Sequence, residues 1–501
     1  MKHMVFRFLK ITLLLVIATI VFPGPLQAQT NTIYDVVLTG GRVIDPETKL
    51  DAIRNVGISN KRIARISAEP LQGKELINVS GLVVAPGFID LHVHGRTNQE
   101  QEYQLHDGVT TALELEFGTE FLTQWYASRK SKALINYGSS VSWAFERFRV
   151  LDNPEKELKD LEKSVTSGES GWQGLYNTIQ PSYTRSLTPE QSEKSISNIR
   201  KSLAEGGLGI GVPAAYVPGA NADEVFRVYQ LASSLQAPVF THIREAGIMG
   251  VQQVIADAVL TGAPLHICHL NSSSQGQIYF AIELIQAARA KGFDISTELY
   301  PYTASSTKIE SAIFNEGWQQ RRNISYGDLQ WVATGERLTK ETFESYRKSG
   351  GIVIIHSMKP DWIKAGIASP GTMVASDAVP YAKLAHPRSA GAFSRVLGKY
   401  VREEKVISLL EAIEKMTLLP AKRLEGISPM MRQKGRIQEG SDADMTIFDP
   451  NTIIDKATFE KGLEFSQGVK YVMVNGTLVL RNGETVKDVF PGQPIYGKYK
   501  K

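Results

Sequence analysis

Between residues 88 and 377 the chain repeats one pattern. A short apolar run of strand length ends near a polar residue, and in most cases a stretch with helical spacing follows. The runs are Phe88–His94, Val109–Glu116, Ala133–Trp143, Gly207–Val212, Pro238–His242, Pro264–His269, Phe293–Tyr300 and Met373–Asp377. Helical spacing of apolar residues fills Ala222–Leu235, Val251–Thr261 and Ala281–Lys291. Continuous apolar runs fit strands buried on both faces, and parallel neighbours need a long crossover between them. Eight such strands with crossover helices predict a (β/α)8 TIM barrel within the α/β class, rather than a doubly wound sheet. In that architecture the strand C-termini converge on one mouth, so the residues closing the runs are candidates for a common site.

The two ends of the chain read differently. Residues 31–85 hold short strands and turns such as Asp35-Val36-Val37-Leu38 and Gly41-Arg42-Val43-Ile44. Residues 430–495 do the same, with Asn475-Gly476 marking a hairpin after Val469–Val474. These ends predict one small β-sandwich domain assembled from both termini, around a catalytic barrel spanning 86–429. Residues 304–350 are too long for an ordinary βα loop and carry Phe314, Trp318, Trp331 and Phe343. They read as a folded insertion, placed to act as a lid.

The first 28 residues have the form of a secretory signal peptide. Lys2, Arg7 and Lys10 precede the apolar run Ile11–Phe22, then Pro23-Gly24-Pro25 and a small-residue cut at Leu26-Gln27-Ala28. The expected location is periplasmic or secreted, with no membrane attachment after cleavage. The formal net charge is only +4, and Lys2, Arg7 and Lys10 contribute three of those charges. The nearly neutral body gives no electrostatic basis for nucleic-acid binding. The single cysteine, Cys268, excludes an internal disulfide.

The chemistry concentrates at the strand ends. In Phe88-Ile89-Asp90-Leu91-His92-Val93-His94, His92 and His94 stand two apart, so a strand turns both imidazoles to one face. His242 and His269 close two later runs. Neutral imidazole suits zinc and similar ions, and one or two divalent ions are expected. Glu114 and Glu116 share one face of Val109–Phe117, a costly place for carboxylates unless they are paired or metal-bound. Glu116, nearer the C-terminal end, is better placed as a metal ligand or bridge. Asp377 is placed to take a proton from water and return it to a leaving group. His266 is expected to face away, His106 precedes a strand, and His356 closes Ile352–Ile355 near the mouth.

Together these segments resemble the amidohydrolase superfamily, and more narrowly the N-acyl-D-amino-acid deacylase family. The likeness runs through Gly40–Pro46, the His-x-His segment, Gly108-Val109-Thr110-Thr111, Thr241-His242-Ile243-Arg244 and Tyr300-Pro301-Tyr302-Thr303. It continues through Ser376-Asp377, His386-Pro387-Arg388, Arg395–Glu403 and Ala443-Asp444. The resemblance implies His92 and His94 at one metal position, His242 and His269 at another, and Asp377 as acid/base. It implies hydrolysis of the amide bond of N-acyl-D-amino acids, with an N-acyl-D-glutamate as the leading small-molecule substrate. Hydrolysis of cyclic amides or D-dipeptides is the alternative within the superfamily, and a non-catalytic metal-binding protein is the alternative outside it.

Two departures stand out. These deacylases carry a bridging cysteine after the Gly-Val-Thr-Thr strand, where this chain has Glu114-Leu115-Glu116. Cys268 lies on another strand, immediately before His269, and alternation is expected to turn it away. Asn271 stands where these deacylases place a carboxylate-binding lysine. Carboxylate recognition is then expected from Arg244, Lys308 or Arg388, with Tyr300, Tyr302 and His386 as further substrate contacts.

Overall fold

The computed structural model describes residues 32–151, 154–168, 171–379 and 384–500. The leader read in residues 1–28 lies outside the described residues. The chain opens with β1 (Ile33–Asp45), β2 (Leu50–Ser59), β3 (Arg62–Ser67), β4 (Gln72–Asn78) and β5 (Val83–Pro86). β1 is long enough to serve two partners. Its first half pairs in parallel with β4 (Val37 opposite Leu76) and its second half with β5 (Val43 opposite Val84). The switch falls at an irregularity between Leu38 and Gly41, where Gly40 takes φ 72°. A Cβ at Gly40 would also stand 2.6 Å from Ser80 Oγ, which would have to rotate away, but it is the positive φ that calls for glycine there.

The barrel follows: β6 (Phe88–Asp90), β7 (Val109–Thr119), β8 (Asn136–Ser142), β9 (Ile210–Pro213), β10 (Val239–His242), β11 (Leu265–Ile267) and β12 (Ile295–Leu299). An insertion then contributes β13 (Ser305–Lys308), β14 (Leu329–Trp331) and β15 (Ile352–Ile355), before β16 (Thr372–Val374) completes the barrel. β6 to β12 and β16 form one eight-stranded parallel sheet in chain order. Its two ends meet through a single bridge, Val93 to Ala378, with His94 N–H donating to Ala378 O at 2.9 Å. Each of the eight apolar runs supplies one strand. Several strands stop short of their run: β6 at Asp90, β11 at Ile267, β16 at Val374. The chemically able residues therefore stand just past the hydrogen-bonded ladder, where the chain bends across the mouth.

On β7 the alternation separates two environments. Leu113 and Leu115 pack outward into the apolar layer under the helices, Glu114 and Glu116 face inward, and Phe117 reaches the edge of the mouth against Trp172. The helix Ala222–Leu235 begins at an Asn221 cap and coincides with the span read from its periodicity. Two other helices, Ile248–Thr261 and Ile278–Ala290, start three residues earlier than their apolar spacing indicates.

The insertion is a folded unit. β13, β15 and β14 form an antiparallel sheet around a core that includes Ile309, Phe314, Trp318, Trp331, Phe343 and Ile355. It therefore runs past residue 350 to take in β15. It is fastened over the mouth by Lys308 Nζ donating to Asn177 Oδ1 (2.6 Å) and by a hydroxyl pair between Tyr216 and Thr307 (3.0 Å).

The chain ends with β17 (Met445–Phe448), β18 (Val469–Val474), β19 (Thr477–Arg481) and β20 (Glu484–Thr485). β17 pairs with β5 on one side and β18 on the other, so the strands of both ends form one continuous nine-stranded sheet. Leu38, Val56, Ile58 and Val84 from one end pack with Met445, Ile447 and Met473 from the other. The last residues run back onto the barrel, where Ile495 N–H donates to Tyr137 O at 2.8 Å. Among the described residues no helix is long and apolar enough to cross a membrane.

Candidate metal centre

Glu116 is the hub of the mouth. Its Oε1 lies 2.9 Å from His242 Nδ1 and 2.8 Å from His269 Nε2. Its Oε2 lies 3.3 Å from His92 Nε2 and 3.5 Å from His94 Nε2. Asp377 Oδ1 stands 3.5 Å from both of those imidazole nitrogens. One carboxylate thus joins two donor groups: His92, His94 and Asp377 on one side, His242 and His269 on the other. Donors about 2.0–2.1 Å from a tetrahedral ion are spaced about 3.3–3.4 Å apart, close to the separations on the His92 side.

The donor set itself fits divalent cations. His92 Nε2 is buried with no hydrogen-bond partner. His242 Nδ1 and His269 Nε2 approach to 3.0 Å while both face one carboxylate oxygen. Burial works against a charged imidazole at His92 and His94, yet the carboxylates outweigh it and hold both well above the ordinary histidine value. Glu116 moves the opposite way: despite burial, the surrounding imidazoles hold it well below the carboxylate range. At His242, burial and the His269 neighbour lower the affinity for a proton.

The other carboxylate of the pair, Glu114, stands behind the centre. Its Oε2 meets His94 Nδ1 at 2.8 Å and its Oε1 accepts Phe117 N–H at 3.1 Å. It orients His94 from the far side. Glu298 on β12, which the sequence reading passed over, does the same for two strands at once. Its Oε1 meets His92 Nδ1 at 2.9 Å and accepts His269 N–H at 2.7 Å. A carboxylate within a buried barrel strand was the signal that flagged Glu114 and Glu116, and it applies equally to Glu298.

Cys268 corrects an expectation. Alternation predicts that it points away from the site, but its Sγ lies with a His92 ring nitrogen and a Glu116 oxygen, all within 4.8 Å of one another. Alternation fails because β11 has already ended at Ile267. His269 takes φ 35°, so the turning backbone brings both residues inward. His266, still within the strand, does face away, to Ser296 Oγ at 2.8 Å. His106 pairs with Thr485, and His356 with Gln330.

Asp377 also takes a left-handed backbone, φ 51°. Its second oxygen is 2.8 Å from Arg388 Nη1, and the Arg388 guanidinium lies over the Tyr300 ring at 4.5 Å. Burial alone would raise the Asp377 carboxyl. Arg388 and the imidazole of His92 overcome that and hold it well below its usual range.

A cavity of about 470 Å³ opens over the centre. His94, Glu116, His242, His269 and Asp377 form its floor, Trp172 and Tyr216 part of its wall, and the insertion its roof. Among the expected substrate contacts, Arg244 and Lys308 line it. Tyr300, Tyr302, Asn271, His386 and Arg388 stand behind the lining, each engaged elsewhere or covered. Tyr302 donates to Asp455, Asn271 to Tyr300 O, and His386 lies between Ala304 O and Arg388 N. Burial pushes the Tyr300 hydroxyl up to about 12. The insertion supplies a cation that the sequence reading missed. Arg322, at the end of the helix Trp318–Arg322, reaches the cavity and has no carboxylate partner among the described residues. Arg244 donates through Nη1 to Ala220 O at 2.9 Å, and its buried Nη2 has no partner.

Comparison with known proteins places this geometry. The amidohydrolase family profile matches residues 83–479. A D-aminoacylase from Alcaligenes xylosoxydans xylosoxydans is 30% identical over 468 residues, covering 89% of this chain and 94% of that protein. An N-acyl-D-glutamate deacylase from the same organism is 28% identical over 476 residues, with 89% and 93% covered. Among solved structures, the N-acyl-D-glutamate deacylase of Bordetella bronchiseptica superposes with a TM-score of 0.78 at 24% identity, covering 93% of this chain and 100% of that one. That structure holds zinc and a phosphonate inhibitor that mimics the tetrahedral intermediate.

Proposed function

The chain belongs to the amidohydrolase family and is a hydrolase of C–N bonds other than peptide bonds; on that premise we propose that it cleaves the amide bond of N-acyl-D-amino acids. The observation that carries the reading is the two-sided donor set joined by Glu116, opening with Asp377 into a cavity of ligand size. The D configuration rests on the similarity to the two deacylases.

Zinc, as one or two ions, is the proposed cofactor. His92, His94 and Glu116 would hold one ion, and Glu116, His242 and His269 the other, with Asp377 beside them as the acid/base. Bound there, it supplies acidified water, of pKa about 7, and a positive charge facing the scissile carbonyl. Asp377 accepts the proton of the attacking water and delivers it to the leaving nitrogen as the C–N bond breaks. Arg388 keeps that carboxylate aimed, and ionised before the first transfer and again after the second. Glu114 and Glu298 hold the imidazoles of His94 and His92 in place from behind.

The substrate side chain is proposed to be acidic. A guanidinium that lines a cavity without a carboxylate in salt-bridge contact favours an anionic ligand, and among the described residues Arg322 and Arg244 both meet that description. An N-acyl-D-glutamate has two carboxylates to offer them. We also propose that residues 1–28 act as a cleaved leader and that the mature enzyme works in the periplasm or outside the cell, a reading supported by the basic start, the apolar run and the small-residue cut in the sequence.

The test is hydrolysis of paired N-acetyl-D- and N-acetyl-L-amino acids by the zinc-loaded protein. The expected result is turnover of D-substrates alone, fastest with D-glutamate. Turnover of L-substrates, or of cyclic amides in preference to both, would overturn the proposal.

A further inference from the structure

The donor set holds one element that neither side of the Glu116 bridge uses. Cys268 is 2% exposed and is the only cysteine of the 501 residues. It stands at the base of the mouth, with its backbone N–H still paired to Thr241 O at 3.0 Å, so the main chain there is fixed by the neighbouring strand. From that anchored position its Sγ shares a 4.8 Å neighbourhood with a His92 ring nitrogen and a Glu116 oxygen. The imidazole gives a second and independent indication. His92 is 1% exposed, its Nδ1 is taken by Glu298, and its Nε2 is directed into this space without a hydrogen-bond partner. With Nδ1–H donating to the Glu298 carboxylate, Nε2 carries the ring's lone pair, and a buried lone pair left unmatched beside a sulfur and a carboxylate is the arrangement a cation completes.

We propose that Cys268 is a metal ligand, its sulfur joining His92 Nε2 and the Glu116 carboxylate in a mixed nitrogen, oxygen and sulfur position for a borderline or soft divalent ion. This rests on the metal reading given above and specifies it. Ligation replaces the thiol proton, which leaves to solvent, while a sulfur lone pair goes to the ion, so one proton is released per ion bound. A thiolate at this position biases the centre toward zinc, cobalt or cadmium and against magnesium, calcium or manganese, which favour all-oxygen donors. It also leaves Asp377, already engaged by Arg388, free to carry protons.

The experiment uses the full chain, stripped of metal and titrated with cobalt(II). Visible d–d bands report that cobalt is bound, and a near-ultraviolet sulfur-to-cobalt charge-transfer band reports a thiolate ligand. With one cysteine in the chain, that band has a single source. The expected result is both sets of bands in the wild type, and retention of only the d–d bands in Cys268→Ser. Zinc retention by that variant is expected to fall at least about tenfold, the loss that even a partner outside the ligand set costs. Cobalt d–d bands without charge transfer in the wild type would overturn the assignment of Cys268 alone. So would a charge-transfer band that persists in Cys268→Ser. Absence of any cobalt spectrum would overturn the metal reading and this assignment with it. Should Cys268→Ser fail to fold, the wild-type spectrum still decides, and Cys268→Ala serves as the second variant.

Discussion

At Asp377 the backbone sits at φ 51°, a conformation that costs most side chains energy and that aspartate tolerates better than most. The bend turns one carboxylate oxygen to the imidazoles of His92 and His94 and the other to Arg388. Asp377→Asn keeps the shape and removes the proton acceptor. Its turnover is expected to fall by about 10²- to 10⁴-fold, the usual worth of a positioned acid/base, while bound zinc stays near the wild-type content. Elemental analysis beside kcat checks both halves, and undiminished turnover would remove Asp377 from the mechanism. Arg322→Met tests the substrate reading. It keeps the apolar stem and removes the charge, so KM for acidic N-acyl-D-amino acids should rise about tenfold or more while KM for neutral ones holds. Equal effects on both would assign Arg322 to the roof alone.

Among the elements, the strands announce themselves because burial on both faces leaves an uninterrupted apolar run, and all eight runs supply barrel strands. The His-x-His pair was readable for the same reason, since a period of two fixes which face each side chain takes. That logic failed at Cys268, where the strand had ended and the alternation with it. Arg322 was not readable at all. Its place depends on how the insertion folds over the barrel, a tertiary contact that leaves no periodic trace. The insertion also makes a prediction of its own. His356, just past β15, meets Gln330 Oε1 on β14 at 2.8 Å, and burial, with Arg337 nearby, lowers it to about 4. The unfolded segment protonates near 6.5, so between about 6.5 and about 4 opening takes up a proton that the closed form refuses. The stabilising contribution is complete above 6.5 and is lost as pH falls through that window. Hydrogen exchange in Leu329–Trp331 and Ile352–Ile355 should therefore be faster, relative to the intrinsic rate, at pH 5 than at pH 7. In His356→Gln the difference should shrink. Equal protection at both values in the wild type would count against it.

For the whole molecule, the mouth and the seam of the barrel are the same place. His92 and His94 follow the first barrel strand and Asp377 follows the last, and among the described residues the two ends meet through one backbone bridge and the hydrogen bonds from Ser376 to Asp90 and His92. An ion seated at that seam closes the barrel as well as serving it. Chelation should lower Tm, and restored zinc at 100 times its Kd should return about 2.7 kcal/mol to the folded state. Scanning calorimetry of stripped and reloaded protein measures this, and an unchanged Tm would uncouple the centre from closure. The order of strands in the terminal sheet carries a last implication, for the time course of biosynthesis. β5 is complete once residue 86 has been made, yet the strand that covers its free edge, β17, begins at residue 445. A nascent chain therefore carries an open strand edge beside the first barrel strand through most of its synthesis. The sheet can close only when the chain is nearly finished, so completion of the terminal sheet is a late step in the folding of this protein.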